Sequence, residues 1–130
     1  MKLYKSVVTA FMLGAFMTPF LAQAGDGNWK KGRIYYRMVC TACHTDNAGG
    51  SISPSTMTKA EWGAYIDADS HAKGKDKLSY YVSKAYRESI KDTNKAAAKF
   101  IKIPNADLMA DVKAFVIHGA KDSDNPARCN

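Results

Sequence analysis

Cys40 and Cys43 are separated by two residues and followed directly by His44, in the stretch MVCTACHTD. A cysteine pair with this spacing serves one of three kinds of chemistry: a redox-active dithiol, half of a zinc site, or covalent attachment of haem. A thioredoxin-type dithiol needs strands alternating with helices, and the sequence has no alternating strand pattern around the motif. A structural zinc site needs four ligands, and Cys129 with one histidine does not supply a second short-spaced pair.

Covalent attachment of haem accounts for all three residues of the motif. Two thiols can add across the vinyl groups of a haem, and a spacing of two places both sulfurs on one side of a helical turn. The histidine that follows then reaches the iron from the proximal side. The sequence therefore predicts one haem c, attached to Cys40 and Cys43 and ligated through its iron by His44.

The first 24 residues have the pattern of a cleaved signal peptide. Lys2 and Lys5 precede an apolar run over 7–21, and Ala22-Gln23-Ala24 has the small-x-small pattern of a cleavage site. The run is about 15 residues long, shorter than the roughly 20 that a membrane span needs. We expect residues 1–24 to be removed and residues 25–130 to form one domain. We also expect the domain to be periplasmic, with an extracellular or membrane-associated location as the alternative.

The rest of the chain is dominated by helical patterns. Asp26 or Asn28 can cap a first helix, which should carry Trp29, Ile34, Tyr36 and Cys40 on roughly one side. Thr58 with Glu61 has the spacing of a capping box at the start of another helix. We expect a long helical segment from residue 78 that breaks near 92–94.

The last helix has the clearest inward face. Leu108, Val112, Phe115 and Val116 recur at helical spacing, and Gly119 follows as a stop signal. The sequence therefore predicts an all-α protein of three to five helices.

The motif and its flanks resemble the monohaem class I c-type cytochromes. Gly32 and Tyr36 precede Cys40 at intervals of four, similar to the glycine and aromatic residue on that family's first helix. Val112 and Phe115 in DVKAFV stand like the aliphatic and aromatic residues of its closing helix. The resemblance implies a small cytochrome c-like fold in which the first and last helices cross at close range. A glycine at such a crossing lets the two backbones approach.

The second axial ligand of the iron is where the sequence departs from the family. That family usually places a methionine before the last helix, but KAAAKFIKIPNAD has neither methionine nor histidine. Met57 lies 13 residues beyond His44, enough chain at about 3.3 Å per residue to round a haem edge. His71 lies in a polar loop, where such ligands often reside. We expect His71 to be the ligand, with Met57, His118 and Met109 as alternatives.

These features indicate an electron-transfer protein rather than an enzyme. We expect it to carry single electrons between redox partners that are acidic, because removing two lysines with the leader still leaves a net charge of +5. Lysines at 73, 75 and 77 are candidates for the docking surface, and no nucleic-acid partner is expected.

The alternative functions are a fixed haem subunit of a larger redox complex and, less favoured, a haem that reacts with gases or peroxide. Cys129 has no partner left in the chain, which suggests an intermolecular disulfide or a free thiol.

Overall fold

The computed structural model describes residues 26–46, 52–72 and 74–127, without the side chains of Cys43, Thr45 and Asp46. The leader at 1–24, Lys73 and Cys129 lie outside the described residues. Within the described ranges the secondary structure is helical, with no strand. This confirms the all-α prediction. None of the helices in these ranges has both the length and the apolar content needed to cross a bilayer.

The described residues form seven short α-helices, with a π-helical turn and a 3₁₀ turn between them. Their bounds are α1 Trp29–Tyr35, α2 Thr41–Asp46, α3 Lys59–Asp67, α4 Leu78–Tyr81, α5 Lys84–Ile90, α6 Lys95–Phe100 and α7 Asn105–His118. The π-helical turn, Tyr36–Cys40, joins α1 to α2, and the 3₁₀ turn covers Pro54–Thr56.

Polar side chains define where several of these helices begin. Asn28 caps α1 by accepting hydrogen bonds from the backbone N–H groups of Lys30 and Lys31. Thr58 and Glu61 form the predicted capping box of α3, with each side chain accepting from the backbone N–H of the other residue. These side chains satisfy backbone donors that have no partner inside the helix.

The expected long helix after residue 78 is divided into α4 and α5. Ser83 interrupts it, because its side chain accepts a hydrogen bond from Tyr86 N and so begins a new helix. The predicted break near 92–94 is present, with Asn94 capping α6. The helix count exceeds the predicted three to five because of this division and because the π-helical turn separates α1 from α2.

Helices α1 and α7 cross at close range. A methyl group on Gly32 would lie 1.9 Å from the carbonyl oxygen of Asp111, so only glycine fits there. One turn further along, the rings of Tyr36 and Phe115 pack with their centroids 5.2 Å apart. The Asp111 side chain also accepts a hydrogen bond from Asn28 N at 2.6 Å. The close approach expected of the first and last helices is therefore present.

Two buried clusters pack on either side of α7. One contains Tyr35, Val39, Val82, Ala97, Phe100, Leu108 and Val112. The other contains Trp62, Ile66, Phe115, Val116 and Ala120. All four residues predicted to form the inward face of the last helix are buried. Ile34, by contrast, is 53 % exposed, so the prediction that it shares one side of the helix with Tyr36 is wrong: Gly32, Tyr35 and Val39 face the core instead.

Arg87 is a fully buried charged side chain that ties α5 to the segment before α7. Its guanidinium donates to the carbonyl oxygens of Phe100 and Ile103 and to Asn105 Oδ1, and its Nε donates to Ser83 O. These acceptors include carbonyls freed at the end of α6. The burial of this charge is thus compensated by hydrogen bonds rather than by a carboxylate.

Candidate functional site

The Cys-x-x-Cys-His motif begins at the end of the π-helical turn. Cys40 is the last residue of that turn, whereas Cys43 and His44 lie on α2. The turn is closed by a hydrogen bond from Thr41 N to Tyr36 O, and the Thr41 hydroxyl also donates to Tyr36 O at 3.0 Å. Wide turns of this kind occur frequently at functional sites. Cys40 and His44 both line one apolar cavity of the described structure.

This cavity has a volume of about 270 Å³ and predominantly apolar walls. Its aromatic lining comes from Tyr36, Trp62, Tyr65, Tyr81 and Tyr86, and branched aliphatic side chains fill the spaces between them. An apolar cavity with a few convergent polar groups is the usual form of a small-molecule or cofactor site. The convergent polar groups here are two imidazoles.

His44 and His71 meet at this cavity, although 27 positions separate them in the sequence. Their ring centroids are 5.9 Å apart and the ring planes are nearly perpendicular, at 84°. His71 also packs on Tyr81, with a centroid distance of 4.6 Å. The structure therefore brings together the proximal residue of the motif and the residue that the sequence favoured as second ligand.

The loop that carries His71 is anchored on both sides. Before it, Asp69 accepts hydrogen bonds from the N–H and the hydroxyl of Ser79, both at 2.7 Å. After it, Ala72 N donates to the hydroxyl of Tyr65 at 3.1 Å. Asp69 has a φ of 51°, a left-handed conformation that aspartate tolerates better than most residues. Because these bonds connect the loop to α3 and α4, the position of the imidazole is set by the helical framework.

The His71 ring packs directly against the backbone of Gly74. Gly74 N donates to His71 O at 2.9 Å, closing a turn. A methyl group on Gly74 would lie 1.6 Å from His71 Nδ1, so the ring rests directly on the glycine backbone. This packing covers the Nδ1 side of the imidazole, and we infer that Nε2 is the nitrogen left for a metal.

The electrostatic environment favours neutral imidazole at His71. Burial lowers the pKa of His71, and the nearby His44 lowers it further. Metals bind the deprotonated nitrogen, so a lowered pKa keeps the ligand form available. The Nδ1 atoms of both His44 and His71 are buried and lack a hydrogen-bond partner among the described residues. Leaving such atoms unpaired costs roughly 1 to 3 kcal/mol each, which is unusual outside functional sites.

The distance between the two imidazole centroids can be compared with that of two ligands of one metal ion. A metal–imidazole bond is about 2 Å long, so two rings whose nitrogens point at one metal from opposite sides have centroids roughly 6 Å apart. The observed 5.9 Å agrees with this value. Together with Cys40 and the aromatic walls, this distance fits a haem whose iron His44 and His71 would bind.

The other candidate ligands are placed differently. Met57 is half-buried and lines the same cavity, directly after the 3₁₀ turn, so it stays an alternative to His71. His118 instead stacks on Trp29, with centroids 4.0 Å apart and planes 13° apart, which is a packing role at the end of α7. Met109 packs against both buried clusters.

The sequence reasoning missed three residues that position the site: Tyr65, Tyr81 and Gly74. The turn at Gly74 could have been predicted, because glycine is common at the fourth position of a type I turn. Tyr65 and Tyr81 carried none, because their contacts with the His71 loop depend on how α3 and α4 pack.

Among the described residues no group of three or more His, Cys, Asp or Glu side chains is arranged to hold a metal ion on its own. Comparison with protein-family models, with curated proteins and with solved structures gives no match to this chain.

Proposed function

We propose that this chain is an exported carrier of single electrons whose redox group is one haem c. Cys40 and Cys43 would hold the haem covalently, and His44 and His71 would bind its iron. The observation that carries the proposal is the placement of the two imidazoles across one apolar cavity, with centroids 5.9 Å apart, beside Cys40 of the haem-attachment motif. The cytochrome c-like fold implied by the resemblance is part of the proposal, supported by the crossing of α1 and α7 at Gly32.

The chain's own residues have distinct tasks in this proposal. The aromatic and aliphatic walls exclude water, and the anchored loop keeps His71 in one position. The bound haem supplies an iron that changes oxidation state by one electron. A pair of imidazoles generally holds that iron at a lower reduction potential than a histidine–methionine pair. The second coordination position is filled by a side chain, which favours electron transfer over chemistry on a bound small molecule.

Two measurements test the proposal. Haem staining after denaturing electrophoresis should be positive for the wild type and negative for Cys40→Ala/Cys43→Ala; staining that persists in the double variant would reject covalent attachment at this motif. Near-infrared magnetic circular dichroism of the ferric protein should show a bis-histidine signature that is lost in His71→Ala and retained in Met57→Ala. A histidine–methionine signature would assign Met57 instead, and a high-spin spectrum would favour a ligand-binding or catalytic haem.

A further inference from the structure

The outward side of the first helical segment carries an unusual combination of side chains. Ile34 and Met38 are 53 % and 54 % exposed, the highest values among the exposed large hydrophobic residues of the described structure. Lys30, Arg33 and Arg37 lie at helical spacing around them and are exposed as well. We refer to these five residues as the α1 stripe.

The α1 stripe has no compensating negative charge on its own segment. Residues 29–45 contain no aspartate or glutamate. None of the three cations forms an ion pair with a described residue. Lys30 Nζ instead lies 5.7 Å from the centre of the Trp29 ring. Two apolar side chains within a rim of unpaired cations therefore face solvent.

The opposite side of the same segment faces the proposed haem site. Tyr36, Val39 and Cys40 line the cavity, and Met38 lies two residues before Cys40. Asn94 of the segment before α6 donates a hydrogen bond to Met38 O at 2.8 Å, which fixes the backbone beneath the stripe. A molecule bound to the stripe would thus be separated from the cavity by a single layer of helix.

We propose that the α1 stripe is the docking surface for an acidic protein with an apolar centre to its binding face. Interfaces typically combine an apolar core with a polar rim, and opposite charge accelerates encounter and fixes orientation. The small size of the stripe suits a weak, short-lived complex. A bilayer surface fits less well, because the apolar face of this helix is already buried in the core and two side chains are narrower than the apolar stripe of an interfacial helix.

The docking surface proposed here is the α1 stripe and not the lysines at 75 and 77. Those two flank Asp76 in the loop after His71, so their positive field is partly cancelled locally. Electron exchange with the acidic partner rests on the proposed function. Binding of that partner to the α1 stripe does not.

The test uses a flavodoxin, a small acidic electron-transfer protein, as the probe. Oxidised flavodoxin is titrated into the ¹⁵N-labelled protein at low ionic strength, and shifts should concentrate in the amides of 29–40. Arg33→Glu/Arg37→Glu should weaken binding at least about tenfold, because electrostatic attraction changes association by that order. Lys75→Glu/Lys77→Glu changes the net charge equally and should weaken it less than about threefold. Equal losses in the two variants, or shifts centred on 74–84, would overturn the proposal.

Further variants separate the apolar and structural contributions. Ile34→Ser/Met38→Ser should weaken binding several-fold at a salt concentration that screens charge, and unchanged affinity would remove the apolar centre from the proposal. Arg33→Gln/Arg37→Gln provides a milder charge change if the glutamate pair unfolds the helix.

Two controls distinguish the partner class and the proposed function. The first control is co-sedimentation of the protein with phosphatidylcholine–phosphatidylserine vesicles. If the protein binds these vesicles through Arg33 and Arg37 but does not bind flavodoxin, the partner is a lipid surface and the proposal is overturned. Reduced flavodoxin that binds the stripe but fails to reduce the protein would contradict the electron-carrier function while leaving the docking surface intact.

Discussion

The imidazole of His71 rests on the backbone of Gly74 so closely that a methyl group there would lie 1.6 Å from Nδ1. The position of the proposed second ligand is therefore set by the lack of a side chain three residues later.

Gly74→Ala should displace His71 without unfolding the protein. Normal contact requires roughly 3.5 Å between heavy atoms, so the ring must move by about 2 Å, and an exposed loop can absorb that movement. We expect near-infrared magnetic circular dichroism to show loss of the bis-histidine signature in a substantial fraction of the ferric protein. Gly63→Ala is the matched control, because a methyl group there meets nothing within 4 Å. An unchanged bis-histidine signature in Gly74→Ala would show that the glycine does not position the ligand.

Gly32→Ala should destabilise the protein strongly. The new methyl group would lie 1.9 Å from a backbone oxygen of α7, which cannot rotate away as a side chain can. The two helices must separate, and we expect a loss of about 3 kcal/mol, at the upper end of ordinary substitutions. Chemical denaturation measures this loss, with Gly63→Ala expected to be neutral or more stable by up to about 1 kcal/mol. Comparable midpoints for the two variants would contradict the tight crossing.

Arg87→Met should also destabilise the protein, for a different reason. The substitution keeps an apolar stem but removes the donor of the Ile103 carbonyl oxygen, whereas Phe100 O still accepts from Ile103 N and Asn105 Oδ1 from Lys84 N. Because an unpaired buried acceptor costs roughly 1 to 3 kcal/mol, we expect a loss of about 2 kcal/mol in thermal or chemical unfolding. Arg33→Met, at an exposed position, should change stability by less than about 0.5 kcal/mol. A near-neutral Arg87→Met would mean that water replaces the guanidinium.

His118→Ala should leave the metal coordination unchanged. His118 stacks on Trp29 at the α1–α7 crossing, so its removal costs an aromatic contact, about 1 kcal/mol. The bis-histidine spectrum should persist, in contrast to His71→Ala. Loss of that spectrum in His118→Ala would reassign the ligand.

The capping box of α3 should make a small contribution to acid stability. The hydrogen bond from Thr58 N lowers the pKa of Glu61, and the Thr58 side chain and Lys121 lower it further. A lowered folded-state pKa means that the contribution is present above the ordinary glutamate pKa and is lost as the pH falls through the folded value. Glu61→Gln should therefore reduce the change in the free energy of unfolding with pH in the acidic range. Identical curves for wild type and variant would exclude this contribution.

Local patterns in the sequence were sufficient for the helical class, the caps at Asn28 and Thr58, and the inward face of α7. These features depend on residues a few positions apart, so spacing reveals them. Ile34 and Tyr36 are two positions apart, which is roughly 200° around an α-helix, so they lie on different sides and Ile34 is exposed. The burial of Arg87 and the support of His71 by Tyr65 depend on contacts between distant segments, which no short window of sequence contains.

The pairing of α1 with α7 has a consequence for the order in which the chain matures. The face of α1 that carries Gly32 and Tyr35 is covered by elements that lie 46 or more residues later, ending with α7. A chain that emerges from its amino end therefore exposes the Cys40–His44 segment before the helix that closes over it exists. Under the proposed function, haem attachment would take place on this open intermediate, before Val112 and Phe115 pack against α1.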